Sequence, residues 1–168
     1  MKVLLINPPQ TFYPGSEQPA GNLPIGLLYI AAVLKNAGYE VEILDAFIDA
    51  TFEKNNETIT VGLPFAKIKA EISLRKPKIV GISGPFTCQI ENSIKVSNIA
   101  KEVNPNIWTV MGGPHVTLVP EDFLEEVKNV DIAVIGEGEY AMLDVAQAFE
   151  GKKKLSDIKA NPQLCHNL

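Results

Sequence analysis

The sequence of 168 residues is poor in positive charge and in cysteine, and each shortage excludes a class of protein. It has one arginine, Arg75, and a formal net charge of −5, so it offers no basic face to a nucleic-acid backbone. Its two cysteines, Cys88 and Cys165, are too few and too far apart for a disulfide framework or a zinc site. We therefore expect no nucleic-acid partner and no structural metal.

Long hydrophobic runs are also missing. The first residues contain only five apolar positions before the proline pair, which is too short for a signal peptide or a membrane span. Hydrophobic residues nevertheless make up 46% of the chain and charged residues 21%, as in ordinary globular domains. We expect one domain that resides in the cytoplasm, with no membrane contact.

Short and almost continuously apolar segments alternate with amphipathic segments along the chain. Such short apolar runs are typical of parallel strands that are buried on both faces. Five strands are predicted: Lys2–Ile6, Glu40–Leu44, Lys78–Ile82, Ile107–Met111 and Asp131–Ile135. Four helices are predicted from periodicity and end signals, Pro24–Ala37, Leu63–Lys76, Thr87–Val103 and Glu139–Phe149, and Pro120–Val127 is predicted to be a short turn or helix.

Five strand–helix units in one direction predict an α/β protein with a flavodoxin-like, doubly wound, five-stranded parallel sheet. The expected strand order is 2-1-3-4-5, in a three-layer α/β/α arrangement. Residues 1–150 should form this domain, and residues 151–168 are predicted to be a charged linker or tail without a core contribution. The proline-rich stretch 7–23 and the polar stretch 47–61 are predicted to be irregular.

The segments that follow the five strands are the candidate functional positions, because ligands of such sheets bind beyond the carboxyl ends of the strands. These segments are rich in glycine, proline and small hydroxyl residues, which allow a ligand to approach the backbone. They are Asn7-Pro8-Pro9, Asp45, Ser83 to Thr87, Gly112 to Thr117 and Gly136 to Glu139. The alternative is that strand–helix connections collect such turn residues in any case.

Common ligand motifs of this fold class are weak or missing at that edge. The segment Gly136–Ala141 formally matches a dinucleotide fingerprint, but Glu137 and Glu139 would lie where a pyrophosphate approaches. The sequence has no Gly-Lys-Ser/Thr phosphate loop and no Gly-x-Ser-x-Gly nucleophile elbow. We expect His115 to contact a ligand rather than a metal, because no further metal-binding side chain is near it in sequence.

Taken in order and at their spacing, the edge motifs resemble the cobalamin-binding domain of cobalamin-dependent radical S-adenosylmethionine proteins. The resemblance covers roughly residues 1–150. Its motifs are VLLINPP at residues 3–9, PIGLLYIAAVL at residues 24–34, GYEV at residues 38–41, IVGIS at residues 79–83, GGPHVT at residues 112–117 and GEGE at residues 136–139.

The resemblance implies a module that holds the corrinoid for methyl-transfer or radical chemistry. It also implies that a slot for the nucleotide tail of cobalamin is lined by Ser83, Thr87, Gly112 and Gly113. Further cofactor contacts are expected from Asn7, Pro8, Pro9, His115, Thr117, Gly136, Glu137 and Gly138. The alternative is a flavodoxin-like module that binds another ligand or a protein partner without cobalamin.

Two departures from the family pattern limit what the resemblance implies. The stretch from Asn7 to Phe12 lacks the histidine that ligates cobalt in the best-known cobalamin domains, so we expect base-off cobalamin without a histidine ligand from this loop. The sequence also lacks the Cys-x-x-x-Cys-x-x-Cys cluster motif, so it is not expected to be catalytic alone. The iron–sulfur cluster and S-adenosylmethionine would belong to a radical domain that acts in cis or in trans.

Overall fold

Strands and helices alternate through the part of the chain that the computed structural model describes, residues 1–15, 23–48, 52–54 and 57–166. The strands are β1 (Lys2–Asn7), β2 (Gln10–Phe12), β3 (Glu40–Asp45), β4 (Phe52–Lys54), β5 (Ile59–Val61), β6 (Ile79–Ser83), β7 (Trp108–Gly112), β8 (Ile132–Val134) and β9 (Leu164–His166). The helices are α1 (Ile25–Asn36), α2 (Phe65–Arg75), α3 (Ile90–Val103), α4 (Pro114–Leu118), α5 (Pro120–Glu126), α6 (Glu139–Phe149) and α7 (Leu155–Lys159). None of the helices in these ranges is long and apolar enough to cross a membrane.

The main sheet has six strands in the order β3-β1-β6-β7-β8-β9. The first five strands of this order are parallel, and β9 pairs antiparallel with β8 at the edge. Helices pack on both faces of the sheet. The predicted three-layer α/β/α fold and the order of the five predicted strands are confirmed, and the sheet has one strand more than predicted.

The apolar strands separate two hydrophobic cores. In β1, the four residues from Val3 to Ile6 are at most 1% exposed. Because side chains alternate across a strand, Val3 and Leu5 enter the core beneath α1, α6 and α7, while Leu4 and Ile6 enter the core beneath α2, α3 and α5. The continuous apolar pattern in the sequence therefore reflects burial on both faces of the sheet.

Charged side chains cover the edge of the main sheet at β3. The Glu42 carboxylate accepts a hydrogen bond from Lys2 Nζ at 2.8 Å and one from Arg75 Nε at 2.6 Å. These hydrogen bonds, that from Lys2 first, lower the pKa of the Glu42 carboxyl. Paired charges on an edge strand oppose pairing with another chain, because a second strand would have to displace them.

A second, smaller sheet replaces part of the two segments that were predicted to be irregular. Its three strands are antiparallel in the order β2-β5-β4, so it joins the stretch after β1 to the stretch after β3. The prediction was wrong here because strands of three residues are too short to show an alternating pattern in the sequence. Residues 16–22 of the first stretch, which include Pro19 and Gly21, lie outside the described residues.

The segment after residue 150 contributes to the core, contrary to the prediction of a tail without core contacts. Ile158 of α7 is fully buried and Leu164 of β9 is 6% exposed, both in the core beneath α1 and α6. The sequence did not predict this contribution, because the charged run Lys152–Lys154 is typical of an exposed segment. Lys153 pairs with Asp144 of α6, and Lys154 begins a capping box with Asp157 at the start of α7.

We expect Ile158→Ala to lower the free energy of unfolding by about 2–5 kcal/mol, because it removes a fully buried side chain and leaves a cavity. Ser156→Ala, an exposed change in the same helix, should cost less than about 0.5 kcal/mol. Urea unfolding followed by circular dichroism measures both. Equal midpoints for the two variants would mean that the segment is a linker after all.

Candidate functional site

A cavity of about 400 Å³ opens at the carboxyl edge of the main sheet. It lies between the sheet and the layer formed by α1 and α6, which pack against each other. Leu27 and Ile30 of α1 and Met142 of α6 line its outer side. The cavity therefore lies where doubly wound sheets bind their ligands, beyond the carboxyl ends of the strands.

The floor of the cavity comes from four neighbouring parallel strands. Leu5 of β1, Gly81 of β6 and Val110 of β7 lie side by side, as the pairing of Leu5 with Gly81 and of Gly81 with Val110 shows. One row closer to the carboxyl edge, Ser83 pairs with Gly112, and Gly112 pairs with Val134 of β8. Residues two apart on a strand share a face, so both rows point into the cavity.

Gly81 and Gly112 both lie in this floor, but only Gly112 leaves open space above it. A Cβ atom built on Gly81 would lie 2.7 Å from Leu5 Cδ2 and 3.3 Å from Met142 Cε, so these two side chains already pack over Gly81. A Cβ atom on Gly112 would meet Val134 Cβ at 3.4 Å, an ordinary contact. We call the space above Gly112 the trough, and its apolar surroundings suit a flat apolar group.

Polar groups are confined to the mouth of the cavity. They come from Asn7, Gln10, Ser83, Glu137 and Glu139. No lysine or arginine lines the cavity within the described residues, and neither glutamate has an ion-pair partner there. A pyrophosphate would meet two carboxylates and no cation, which disfavours a dinucleotide as the ligand.

A network of buried amide side chains holds β2, the strand beside the mouth of the cavity, in place. Backbone N–H of Thr11 in β2 donates to Gln89 Oε1 at 2.7 Å, and Thr11 O accepts from Gln89 Nε2 at 2.8 Å. The Thr11 hydroxyl accepts from Asn92 Nδ2 at 2.9 Å and lies 3.0 Å from the Thr60 hydroxyl. We call this set of four residues the Gln89 clamp. It ties the small sheet to the start of α3.

Seven of the twelve predicted site residues line the cavity: Asn7, Ser83, Gly112, Gly113, Gly136, Glu137 and Gly138. Sequence reasoning missed several others, above all Gly81, Gln10 and Phe47, whereas the lining residue Phe86 belongs to the candidate segment Ser83 to Thr87. Gly81 and Ser83 lie two positions apart on one predicted strand and therefore share a face, which could have identified Gly81 from the sequence. Gln10 had none, because its position depends on the small sheet.

Pro8, Pro9 and Thr87 lie outside the cavity lining. Both prolines are buried where the chain passes from β1 to β2, and Pro9 lies close to Gly62 after β5. Thr87 is exposed at the start of the short turn that precedes α3. Cys88 in the same turn is exposed as well.

His115 and Thr117 also lie outside the lining, on the short helix α4. The His115 ring packs edge-on against Phe123 of α5, with ring centroids 5.8 Å apart. The Thr117 hydroxyl accepts a hydrogen bond from Gly136 N–H at 3.0 Å. Thr117 therefore positions the rim after β8, and the predicted ligand contact of His115 stays a prediction.

Gly113 makes the closest backbone contact of the site. Gly84 N–H donates to Gly112 O at 2.7 Å, which extends the pairing of β6 and β7 past their ends. Gly113 has φ 127° and ψ 178°, and a Cβ atom there would lie 2.2 Å from Gly84 O. Only glycine fits such a backbone position, so Gly113 shapes the rim rather than offering free space for a ligand.

Comparisons with known proteins agree on one family and one fold. The family model of the B12 binding domain matches residues 22–146. Cytidylyl-2-hydroxyethylphosphonate methyltransferase of Streptomyces wedmorensis is 35% identical over 84% of this chain and 27% of its own length. Cobalamin-dependent radical SAM methyltransferase TokK of Streptomyces tokunonensis is 30% identical over 56% of this chain and 15% of its own length.

A solved structure supports the fold independently of close sequence similarity. The methanol:cobalamin methyltransferase complex MtaBC from Methanosarcina barkeri superposes with a TM-score of 0.59 at 17% identity. The match covers 95% of this chain and 50% of that chain. The present chain thus spans about a quarter or less of these two curated relatives and half of this structural neighbour.

We expect Gly113→Ala to lower the free energy of unfolding by about 1–3 kcal/mol from backbone strain alone, and by more if Gly84 cannot shift. Gly112→Ala is the matched control, because its Cβ atom makes only an ordinary contact with Val134. Thermal or urea unfolding compares the two neighbouring changes. Equal stabilities would refute the close approach of Gly113 to Gly84.

Proposed function

Because the chain belongs to the family of B12-binding domains, we propose that its cavity takes the nucleotide tail of cobalamin, with the corrin ring over the mouth. One observation carries the proposal: the trough above Gly112, where a Cβ atom would make only ordinary contacts. Its apolar walls suit the flat benzimidazole at the end of the tail. A larger residue at Gly112 would fill that space.

The side chains that line the cavity fit such a ligand in their chemistry as well as in shape. Leu5, Val110 and Val134 on the floor and Met142 on the outer side offer apolar contacts to an aromatic ring. Ser83 at the upper row adds a short hydroxyl that is able to donate a hydrogen bond without filling the slot. Large apolar side chains at the rim, including Phe86, would shield the ring from water.

The chain's own contribution is to bind and orient the cofactor and to keep water out of the slot. Bound cobalamin supplies a cobalt centre for methyl-transfer or radical chemistry. We propose that a radical S-adenosylmethionine domain, in cis or in trans, carries the iron–sulfur cluster and S-adenosylmethionine. The support is the relative TokK, whose name states that chemistry, and the small share of its length that this chain spans. Free thiols at Cys88 and Cys165 suit a reducing compartment, so we propose a cytoplasmic location.

Retention of cobalamin tests the slot. After incubation with hydroxocobalamin and gel filtration, the protein fraction should carry the visible absorption of the corrin. Gly112→Leu should weaken binding by roughly tenfold or more, about 1.4 kcal/mol, because its side chain enters the trough. Ala32→Leu, which adds comparable bulk at an exposed position of α1, should bind normally.

Circular dichroism shows whether each variant is folded. Loss of the corrin absorption from the unchanged protein contradicts the cobalamin module itself. Full retention by folded Gly112→Leu contradicts the slot. Gly113→Leu is unsuitable for this test, because its side chain would meet the Gly84 backbone and disturb the fold.

The state of the cobalt tests the predicted base-off binding. With the tail in the trough and no histidine after β1, neither benzimidazole nor imidazole nitrogen should reach the metal from below. Electron paramagnetic resonance of the cobalt(II) form should therefore show no nitrogen splitting. Splitting that disappears in His115→Ala would identify His115 as the ligand, and splitting that survives would place the benzimidazole on cobalt.

A further inference from the structure

The charged groups at the mouth of the cavity are all of one sign, and they lie on one side of it. Glu137 and Glu139 line the mouth where the chain passes from β8 to α6. Neither carboxylate has an ion pair or a hydrogen bond with another residue in the described ranges, and no lysine or arginine of those ranges lines the cavity. We call these two carboxylates the acidic rim.

Hydrogen bonds hold the backbone of the acidic rim in place. Gly136 N–H donates to Thr117 Oγ1 at 3.0 Å, and Glu137 O accepts from Gln163 Nε2 at 3.3 Å. Gly138 O accepts a backbone hydrogen bond of 2.8 Å from the first turn of α6. The two carboxylates are therefore presented from an anchored stretch of chain, so a ligand at the mouth meets them in a determined position.

The acidic rim lies well away from the neutral polar groups of the mouth. Asn7 ends β1 and Ser83 ends β6, whereas the rim follows β8. The sheet order β1-β6-β7-β8 places β8 three strand spacings from β1, which is about 14 Å at about 4.8 Å per spacing. A ligand as wide as a corrin ring that lies over the mouth therefore meets neutral groups at one edge and the acidic rim at the other.

Carboxylates at such a rim distinguish ligands by the groups on their periphery. An ionised carboxylate accepts hydrogen bonds and donates none, so it pairs with an amide N–H of the ligand in a charge-assisted hydrogen bond. A carboxylate on the ligand offers only acceptors and a like charge, which is repelled at short distance. Cobalamin carries amide groups around its corrin ring, and incompletely amidated corrinoids carry carboxylates at the same positions.

We propose that the acidic rim selects the corrinoid by the charge of its periphery. Glu137 and Glu139 accept hydrogen bonds from peripheral amides, and corrinoids with a free carboxylate at that edge are rejected. The cavity, and not the two glutamates, defines the site, so loss of the glutamates should reduce selectivity and leave cobalamin binding itself in place. This proposal rests on the proposed cobalamin site.

Equilibrium dialysis with two kinds of ligand tests the selection. The ligands are cobalamin and its monocarboxylic derivatives, in which one peripheral amide has been hydrolysed to a carboxylate. The unchanged protein should bind at least one derivative roughly tenfold more weakly than cobalamin, because the two like charges repel. In the double variant Glu137→Gln/Glu139→Gln this difference should fall to about twofold or less, because glutamine amides donate as well as accept.

A matched control removes the same charge elsewhere. Glu121 and Glu125 are exposed on α5 and do not line the cavity. The double variant Glu121→Gln/Glu125→Gln changes the net charge equally and should keep the full difference between cobalamin and the derivative. Circular dichroism shows whether each double variant is folded.

Salt supplies a readout that needs no variant. The screening length in water falls from about 30 Å at 0.01 M to about 3 Å at 1 M ionic strength, so the discrimination by the unchanged protein should narrow as salt is added. Glu137→Lys places a cation on the rim and should shift the preference toward the carboxylate derivative.

The outcomes separate this proposal from the proposed function. If the unchanged protein retains no cobalamin, the proposed function fails and this proposal fails with it. If it retains cobalamin but binds every monocarboxylic derivative equally well, only the charge selection is overturned. Undiminished selection in the folded Glu137→Gln/Glu139→Gln variant, or an equal loss of selection in the α5 control, overturns the role of the two glutamates.

Discussion

The backbone contact between Gly84 and Gly113 is the constraint on which the site depends. It continues the pairing of β6 and β7 beyond the ends of the strands, with Gly84 N–H donating to Gly112 O at 2.7 Å. Because both partners are glycines, the two connections approach more closely than side chains would allow. The two connections, which form part of the rim of the cavity, are thereby held in a fixed position relative to the sheet.

Below that rim, the cavity is shaped by a position without a side chain and by the lack of lysine and arginine among its described lining residues. Gly112 leaves room on a face of the sheet where Leu5, Val110 and Val134 carry apolar side chains. The ion pairs that shift pKa values, those of Glu42 and of Glu150, involve no residue that lines the cavity. Such a site is suited to hold a flat apolar group by shape, with polar contacts at its mouth.

The stretch after β1, which contains β2, borders this slot. Its two prolines are buried, and β2 pairs with β5 on one side and is bonded to Gln89 through the Thr11 backbone. Residues 78 positions apart are joined by these bonds, so β2 is tied to the start of α3. The backbone of Gln10, which lines the cavity, is therefore held in place.

Local pattern was enough to predict the parallel strands, because continuous apolar runs are visible in the sequence, and the rules of doubly wound sheets predicted their order. Seven of the lining residues were predicted from the resemblance to cobalamin-binding domains, whose motifs follow the strands. Tertiary structure alone decided the small sheet, the edge strand β9 and the burial of Ile158, whose segments are short or masked by lysines. It also decided that Gly113 supports the rim, that His115 packs on Phe123 and that Gln10 enters the cavity. The physical reason is that these placements depend on contacts between residues far apart in the chain, which no local periodicity records.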